Sequence, residues 1–190
     1  MKRVYFIHGW GGTYSGSHGW LDYLRKSLLE RGYKFLGFNM PHTDEPVIEE
    51  WVGLMKKKIK NLNGNVYLIG HSIGCQAILR FLERVPENFK VGGCVFVAPW
   101  IYLNRASIEE EGERVVEIAK PWIETQINFD KVKRHTRNFL SIFSDNDPYV
   151  PLGNKKLFEK NLNSKTFVLH SKEHFNEVLE IPEISDFFKN

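Results

Sequence analysis

The chain has 190 residues, 42% of them hydrophobic, with 26 basic and 23 acidic side chains and a net charge of +3. That length supports one good core and leaves no room for two ordinary domains, so a single domain over residues 1–190 is expected. So small a net charge gives little reason to expect nucleic acid or stable membrane association, and no apolar run is long enough for a signal-peptide core or a membrane span, which points to a soluble, cytoplasmic protein.

Six strand-like runs follow one another: Arg3–Ile7, Lys34–Phe38, Asn65–Ile69, Gly92–Val97, Asn138–Phe143 and Lys165–Leu169. Helical or loop segments separate them. This alternation predicts an α/β fold, with a sheet of about six mostly parallel strands covered by helices on both faces. In such sheets ligands bind beyond the carboxyl ends of the strands, so the chemistry is sought in the loops that leave those ends.

The first strand leads into His8-Gly9-Trp10-Gly11-Gly12, and the second into Asn39-Met40-Pro41-His42. Further on, Ile48, Val52, Met55 and Ile59 keep an apolar face, so the run Lys56-Lys57-Lys58-Ile59-Lys60 reads as a solvated helix face rather than a binding patch. The third strand enters Gly70-His71-Ser72-Ile73-Gly74, the G-x-S-x-G pattern of a serine nucleophile on a sharp strand-to-helix turn. A chain of this length meets that pattern by chance about one time in twenty, so its context decides. The context fits: a strand precedes it, and Ala77, Ile78, Phe81 and Leu82 recur at helical spacing until Pro86. Glycine is expected at 70 and 74 because the sharp turn brings these positions together, where side chains would collide.

Cys75 and Cys94 fall inside apolar patterns and read as reduced core thiols. The longest connection, from Ala98 to Arg137, is too short for a separate lid domain. Its Glu109-Glu110-Glu111 stretch reads as a solvated face. Trp100 and Trp122 in the same connection, together with Met40, are candidates for an apolar substrate pocket. The fifth strand leads into Ser144-Asp145-Asn146-Asp147-Pro148-Tyr149-Val150-Pro151, and the sixth into His170-Ser171-Lys172-Glu173-His174-Phe175.

Serine, acid and histidine therefore leave one edge of the sheet in the order Ser, Asp, His, which is the order α/β-hydrolases use. A serine hydroxyl is a poor nucleophile at neutral pH and needs a base, and a third group to fix that base's tautomer. The competing reading of Ser72 is an inert cap on the following helix. Topology thins the seven histidines. His18 and His135 lie in helical or pre-helical segments, His71 sits inside the turn with its ring directed away from its neighbour, His8 belongs to the first loop, and His42 precedes the acid. His174 is preferred over His170, which is still close to its strand. Asp147 is preferred over Asp145 because a D-x-x-V-P tail follows it. The charge developing on a substrate oxygen needs backbone amides, for which Ile73 and Trp10 are the candidates. No phosphate-loop, H-E-x-x-H or CxxC pattern occurs, so neither cofactor nor metal is expected.

With these residues assembled, the chain resembles the small α/β-hydrolase-fold serine hydrolases of the retinoblastoma-binding-protein-nine and YdeN-like family. The segments that carry the resemblance are Ile7–Tyr14, His18-Gly19-Trp20-Leu21, Asn39-Met40-Pro41, Gly70–Gly74, Pro121-Trp122, Ser144–Pro151 and His174-Phe175, spread over almost the whole chain. The resemblance implies a compact α/β-hydrolase fold without a large lid and a Ser72–Asp147–His174 triad. His8-Gly9 looks more like ordinary α/β-hydrolases than like this family's first loop. The L-x-C-x-E motif behind a protein-binding role in the family is absent, so no protein partner is predicted. The expected function is an esterase-like serine hydrolase that forms an acyl-enzyme on Ser72 from a small carboxylic ester, thioester or amide. The alternative is a non-catalytic ligand- or protein-binding module on the same fold.

Overall fold

A computed structural model describes residues 1–14 and 19–189. His18 lies outside the described residues. The strands are β1 (Arg3–Ile7), β2 (Lys34–Gly37), β3 (Val66–His71), β4 (Gly93–Val97), β5 (Phe139–Ser144) and β6 (Lys165–Leu169). The helices are α1 (Gly19–Glu30), α2 (Ile48–Lys58), α3 (Ile73–Leu82), α4 (Arg105–Glu110), α5 (Glu113–Glu124), α6 (Phe129–Lys133), α7 (Gly153–Leu162) and α8 (Pro182–Phe187).

The strands form one sheet in the order β2-β1-β3-β4-β5-β6, and every neighbouring pair is parallel. Parallel pairing needs crossover connections, and helices serve for them. β4 and β5 are buried along their whole length, which explains why they read as unbroken apolar runs, whereas the edge strands β2 and β6 are partly exposed. The helices fall into two groups: α1 packs with α8, while α3 meets α2 and α6, and α6 meets α7. Two separate helix layers are what a sheet with both faces covered requires.

Helix α2 buries Ile48, Trp51, Val52 and Met55 and leaves Lys56, Lys57 and Lys58 exposed. Helix α3 is buried at all of its positions, including the polar Gln76 and Arg80. Both cysteines lie in the core, where burial pushes their thiols up and keeps them protonated. Among the described residues, no helix is long and apolar enough to cross a membrane.

Register decides where the functional loops emerge. Ile7 is level with Gly70, His71 with Val97, and Ser144 with Leu169. The loops after β1, β3, β5 and β6 therefore leave the same edge of the sheet.

Candidate active site

Ser72 joins β3 to α3 with φ 52° and ψ −122°, a left-handed backbone that a residue with a Cβ holds only when its surroundings enforce it. Two bonds enforce it here: the Ser72 N–H donates to the Val97 carbonyl, and the Ser72 carbonyl accepts from Cys75 N–H, both at 2.9 Å. Ser72 occupies the N-cap position of α3 but makes no side-chain cap bond, so its hydroxyl is not spent on the helix. The flanking glycines are needed for different reasons. A Cβ at Gly70 would stand 2.7 Å from the Cys75 nitrogen, inside the turn. One at Gly74 would strike the carbonyl oxygens of Ile7 and His8, so Gly74 serves the approach of α3 to the end of β1.

The two acids and two histidines left open by the sequence pair off. Asp147 Oδ2 lies 2.8 Å from His174 Nδ1, with side-chain exposures of 1% and 13%. Asp145 Oδ2 lies 2.6 Å from His170 Nδ1, with exposures of 36% and 88%. The first pair is packed in the protein and the second is on its surface. Asp147 Oδ1 accepts the amides of Tyr149 at 2.9 Å and Val150 at 3.0 Å, which fixes the carboxylate so that Oδ2 faces the histidine. Asp145 staples the last loop instead: its Oδ1 accepts the Ser171 amide at 2.8 Å, and this bond, together with His170, holds its carboxyl below the usual range. Asn146 and Ser144 add to the staple by accepting the Glu173 and Lys172 amides at 2.9 and 3.0 Å.

His174 and Ser72 line one cleft of about 480 Å³. With Nδ1 engaged by Asp147, Nε2 is the nitrogen that His174 has left for it. The first loop forms the facing wall. A Cβ on Gly9 would lie 3.4 Å from the Ser72 Cβ, so this loop rests directly on the turn. Among the described residues the Trp10 amide makes no hydrogen bond, and Ile73, as the first residue of α3, has no helical acceptor for its own.

Trp100 lines the cleft with Leu103, Ile108 and Val115. Met40 and Trp122 do not line it, which corrects the expectation for both. Met40 is buried beneath the first loop, its amide donating to His8 Nε2 at 2.9 Å. Trp122 is a core residue, with its indole N–H on the Pro46 carbonyl at 2.8 Å and its ring edge-on to Trp51 at 5.8 Å. Glu111 is exposed, as expected of the acidic stretch, and it also lines the cleft, where it accepts the Tyr149 hydroxyl at 2.8 Å.

A family model described as serine hydrolase matches residues 4–181. The chain belongs to the serine hydrolase family. It is 27% identical over 176 residues to YdeN of Bacillus subtilis (strain 168), covering 93% of this chain and 87% of that protein. It is 23% identical over 175 residues to the serine hydrolase RBBP9 of Rattus norvegicus, covering 91% and 87%. The crystal structure of the ydeN gene product from B. subtilis superposes with a TM-score of 0.86 over 100% of both chains at 26% identity. The Pyrococcus furiosus esterase Pf2001 shares the fold, with a TM-score of 0.70 over 99% of this chain and 82% of that one at 19% identity.

Two further histidines of this serine hydrolase hold the cleft together. His71 Nε2 donates to the backbone carbonyl of His174 at 2.8 Å, and the two rings lie 5.0 Å apart. Sequence spacing places His71 next to Ser72, and only tertiary packing brings it to His174. His8 fastens the first loop to the second: Nδ1 contacts the Gly9 carbonyl at 2.7 Å and Nε2 the Met40 amide at 2.9 Å. A carbonyl needs a donor and an amide needs an acceptor, so His8 is the neutral tautomer protonated on Nδ1.

Burial holds the His8 pKa below its ordinary 6.5. As the pH falls, the unfolded chain therefore takes up this proton first. The contribution of His8 to stability is full above pH ~6.5 and is lost as the pH drops from there through the folded value, with a slope of at most ~1.4 kcal/mol per unit. His8→Asn is expected to remove this slope in denaturant titrations repeated between about pH 5 and 7.5. An unaltered slope in the variant would assign the acid sensitivity elsewhere.

Proposed function

We propose that the protein is an esterase-like serine hydrolase that forms an acyl-enzyme on Ser72, with His174 as general base and Asp147 as the group that orients it. The observation that carries this reading is the packed Asp147–His174 pair on the same cleft as a serine whose hydroxyl caps no helix amide. The order of events follows from the chemistry of these groups. His174 Nε2 takes the Ser72 proton as Oγ bonds to the substrate carbonyl carbon. The carbonyl oxygen becomes an oxyanion and is received by the amides of Trp10 and Ile73, each donor worth about 10²–10³ in rate. Collapse breaks the bond to the leaving group, which departs with the proton from His174. Water then repeats the sequence on the acyl-enzyme and releases the acid.

The substrates are small carboxylic esters, thioesters or amides. Trp100, Leu103, Ile108 and Val115 make an apolar wall suited to an acyl chain, and the cleft volume is that of a small-molecule site. Family membership and the esterase fold of Pf2001 support hydrolysis at such a bond.

The test is a fluorophosphonate probe read by intact mass. The wild-type protein is expected to gain one phosphonyl adduct that peptide mapping assigns to Ser72, and folded Ser72→Ala to gain none. A folded wild-type protein that resists the probe, or a Ser72→Ala variant that still takes it up, would make the protein a binding module on this fold.

A further inference from the structure

The protein carries an excess of positive charge, yet its cleft has the opposite character. Among the described residues lining it there is no lysine or arginine, and the one carboxylate in the lining is Glu111. Two nearby acids outside the lining are paired with cations: Glu109 with Arg105 at 2.6 Å and Glu117 with Arg114 at 3.0 Å. Glu111 has no cationic partner among the described residues. Its Oε1 is held by the Tyr149 hydroxyl, and this bond is the first cause that keeps the Tyr149 phenol protonated beyond its ordinary range.

Tyr149 also fixes where this charge stands. Its ring lies edge-on to His174 with centroids 5.4 Å apart, and its hydroxyl reaches Glu111, so the carboxylate is one tyrosine side chain and one hydrogen bond away from the proposed base. Trp10, Trp100 and Tyr149 share the lining with it. A lining that combines aromatic residues with one carboxylate, and contains no lysine or arginine, has the chemistry that recognises an alkylammonium group, through the ring quadrupoles and the ion pair together.

We infer that Glu111 makes this cleft selective for substrates that carry an ammonium group a few bonds from the scissile carbonyl. The inference rests on the hydrolase reading for what happens after binding, and the binding itself is separable from it. An anionic substrate would meet the Glu111 carboxylate with no lysine or arginine in the lining to offset it.

The test uses two esters of equal shape, acetylcholine and its uncharged carbon isostere 3,3-dimethylbutyl acetate. Their binding is measured by calorimetry on the full chain carrying Ser72→Ala, so that neither is consumed. Acetylcholine is expected to bind more tightly, with a preference that weakens at high salt. Adding Glu111→Gln, which retains an acceptor for Tyr149, should cut the ratio of the two dissociation constants by about fivefold or more, the value of one partly screened charge pair. Adding Glu109→Gln, which removes the same charge outside the lining, should leave the ratio in place. Equal binding of the two esters, an unchanged ratio in Glu111→Gln, or an equal fall in Glu109→Gln would each overturn the inference. These outcomes are read whether or not Ser72 takes up a fluorophosphonate, so a failure here is distinct from a failure of the hydrolase reading.

Discussion

Asp147→Asn is expected to lower turnover of an activated ester by about 10⁴, whereas Asp145→Asn should leave most of it. The difference follows from what each oxygen does. Asp147 Oδ1 is held by the amides of Tyr149 and Val150, so an asparagine there must place its carbonyl oxygen at this position and its NH2 where Oδ2 was. That NH2 faces His174 Nδ1, which then has to accept rather than donate. The proton moves to Nε2, and the nitrogen proposed to receive the Ser72 proton is already occupied. Asp145→Asn keeps an acceptor for the Ser171 amide and loses only an exposed contact with His170. Steady-state kcat for both variants decides the matter, and equal losses would mean that the acid has been assigned to the wrong carboxylate.

Arg80→Met is expected to cost about 3 kcal/mol of unfolding free energy. Arg80 is fully buried on α3, where its Nε donates to Gln76 Oε1 at 3.1 Å and one terminal nitrogen donates to the carbonyls of Trp122 and Thr125, both at 2.8 Å. Burial pulls its guanidinium down to about 10, which still leaves it charged at neutral pH. Those two carbonyls belong to the C-terminal end of α5, where unpaired acceptors and the negative end of the helix dipole favour a cation. Methionine fills the space and leaves both acceptors unpaired in the interior, a penalty larger than the loss of one ordinary hydrogen bond. Denaturant titration should show a lower midpoint at constant slope, and Arg80→Lys should fall between the variant and the parent. A midpoint that does not move would mean that water reaches these carbonyls once the side chain is gone.

Much of the architecture is legible because parallel strands buried on both faces write themselves as short apolar runs. The six runs match the six strands to within two residues at every end, and the turn at Ser72 is legible because two glycines mark a backbone with no room for side chains. The sequence also narrows the acid and base to two candidates each, but proximity along the chain cannot say which acid meets which histidine. Packing decides that, through the burial of Asp147 and the exposure of His170. Met40 and Trp122 mislead for a related reason: apolar character reports burial and does not distinguish a core from a pocket wall. His71 and Glu111 give no local signal, since each acquires its partner from a distant loop.

The sheet order divides the labour of the site. The loops that carry the proposed oxyanion amides follow β1 and β3, while the loops that hold the proposed acid–base pair follow β5 and the edge strand β6. An edge loop is the part of a sheet most easily altered without disturbing the core. On the proposed function, a descendant of this chain that lost only the loop bearing His174 would retain the turn, the amides and the cleft, and would hold a substrate without cutting it. On this scaffold a receptor and an enzyme stand one surface loop apart.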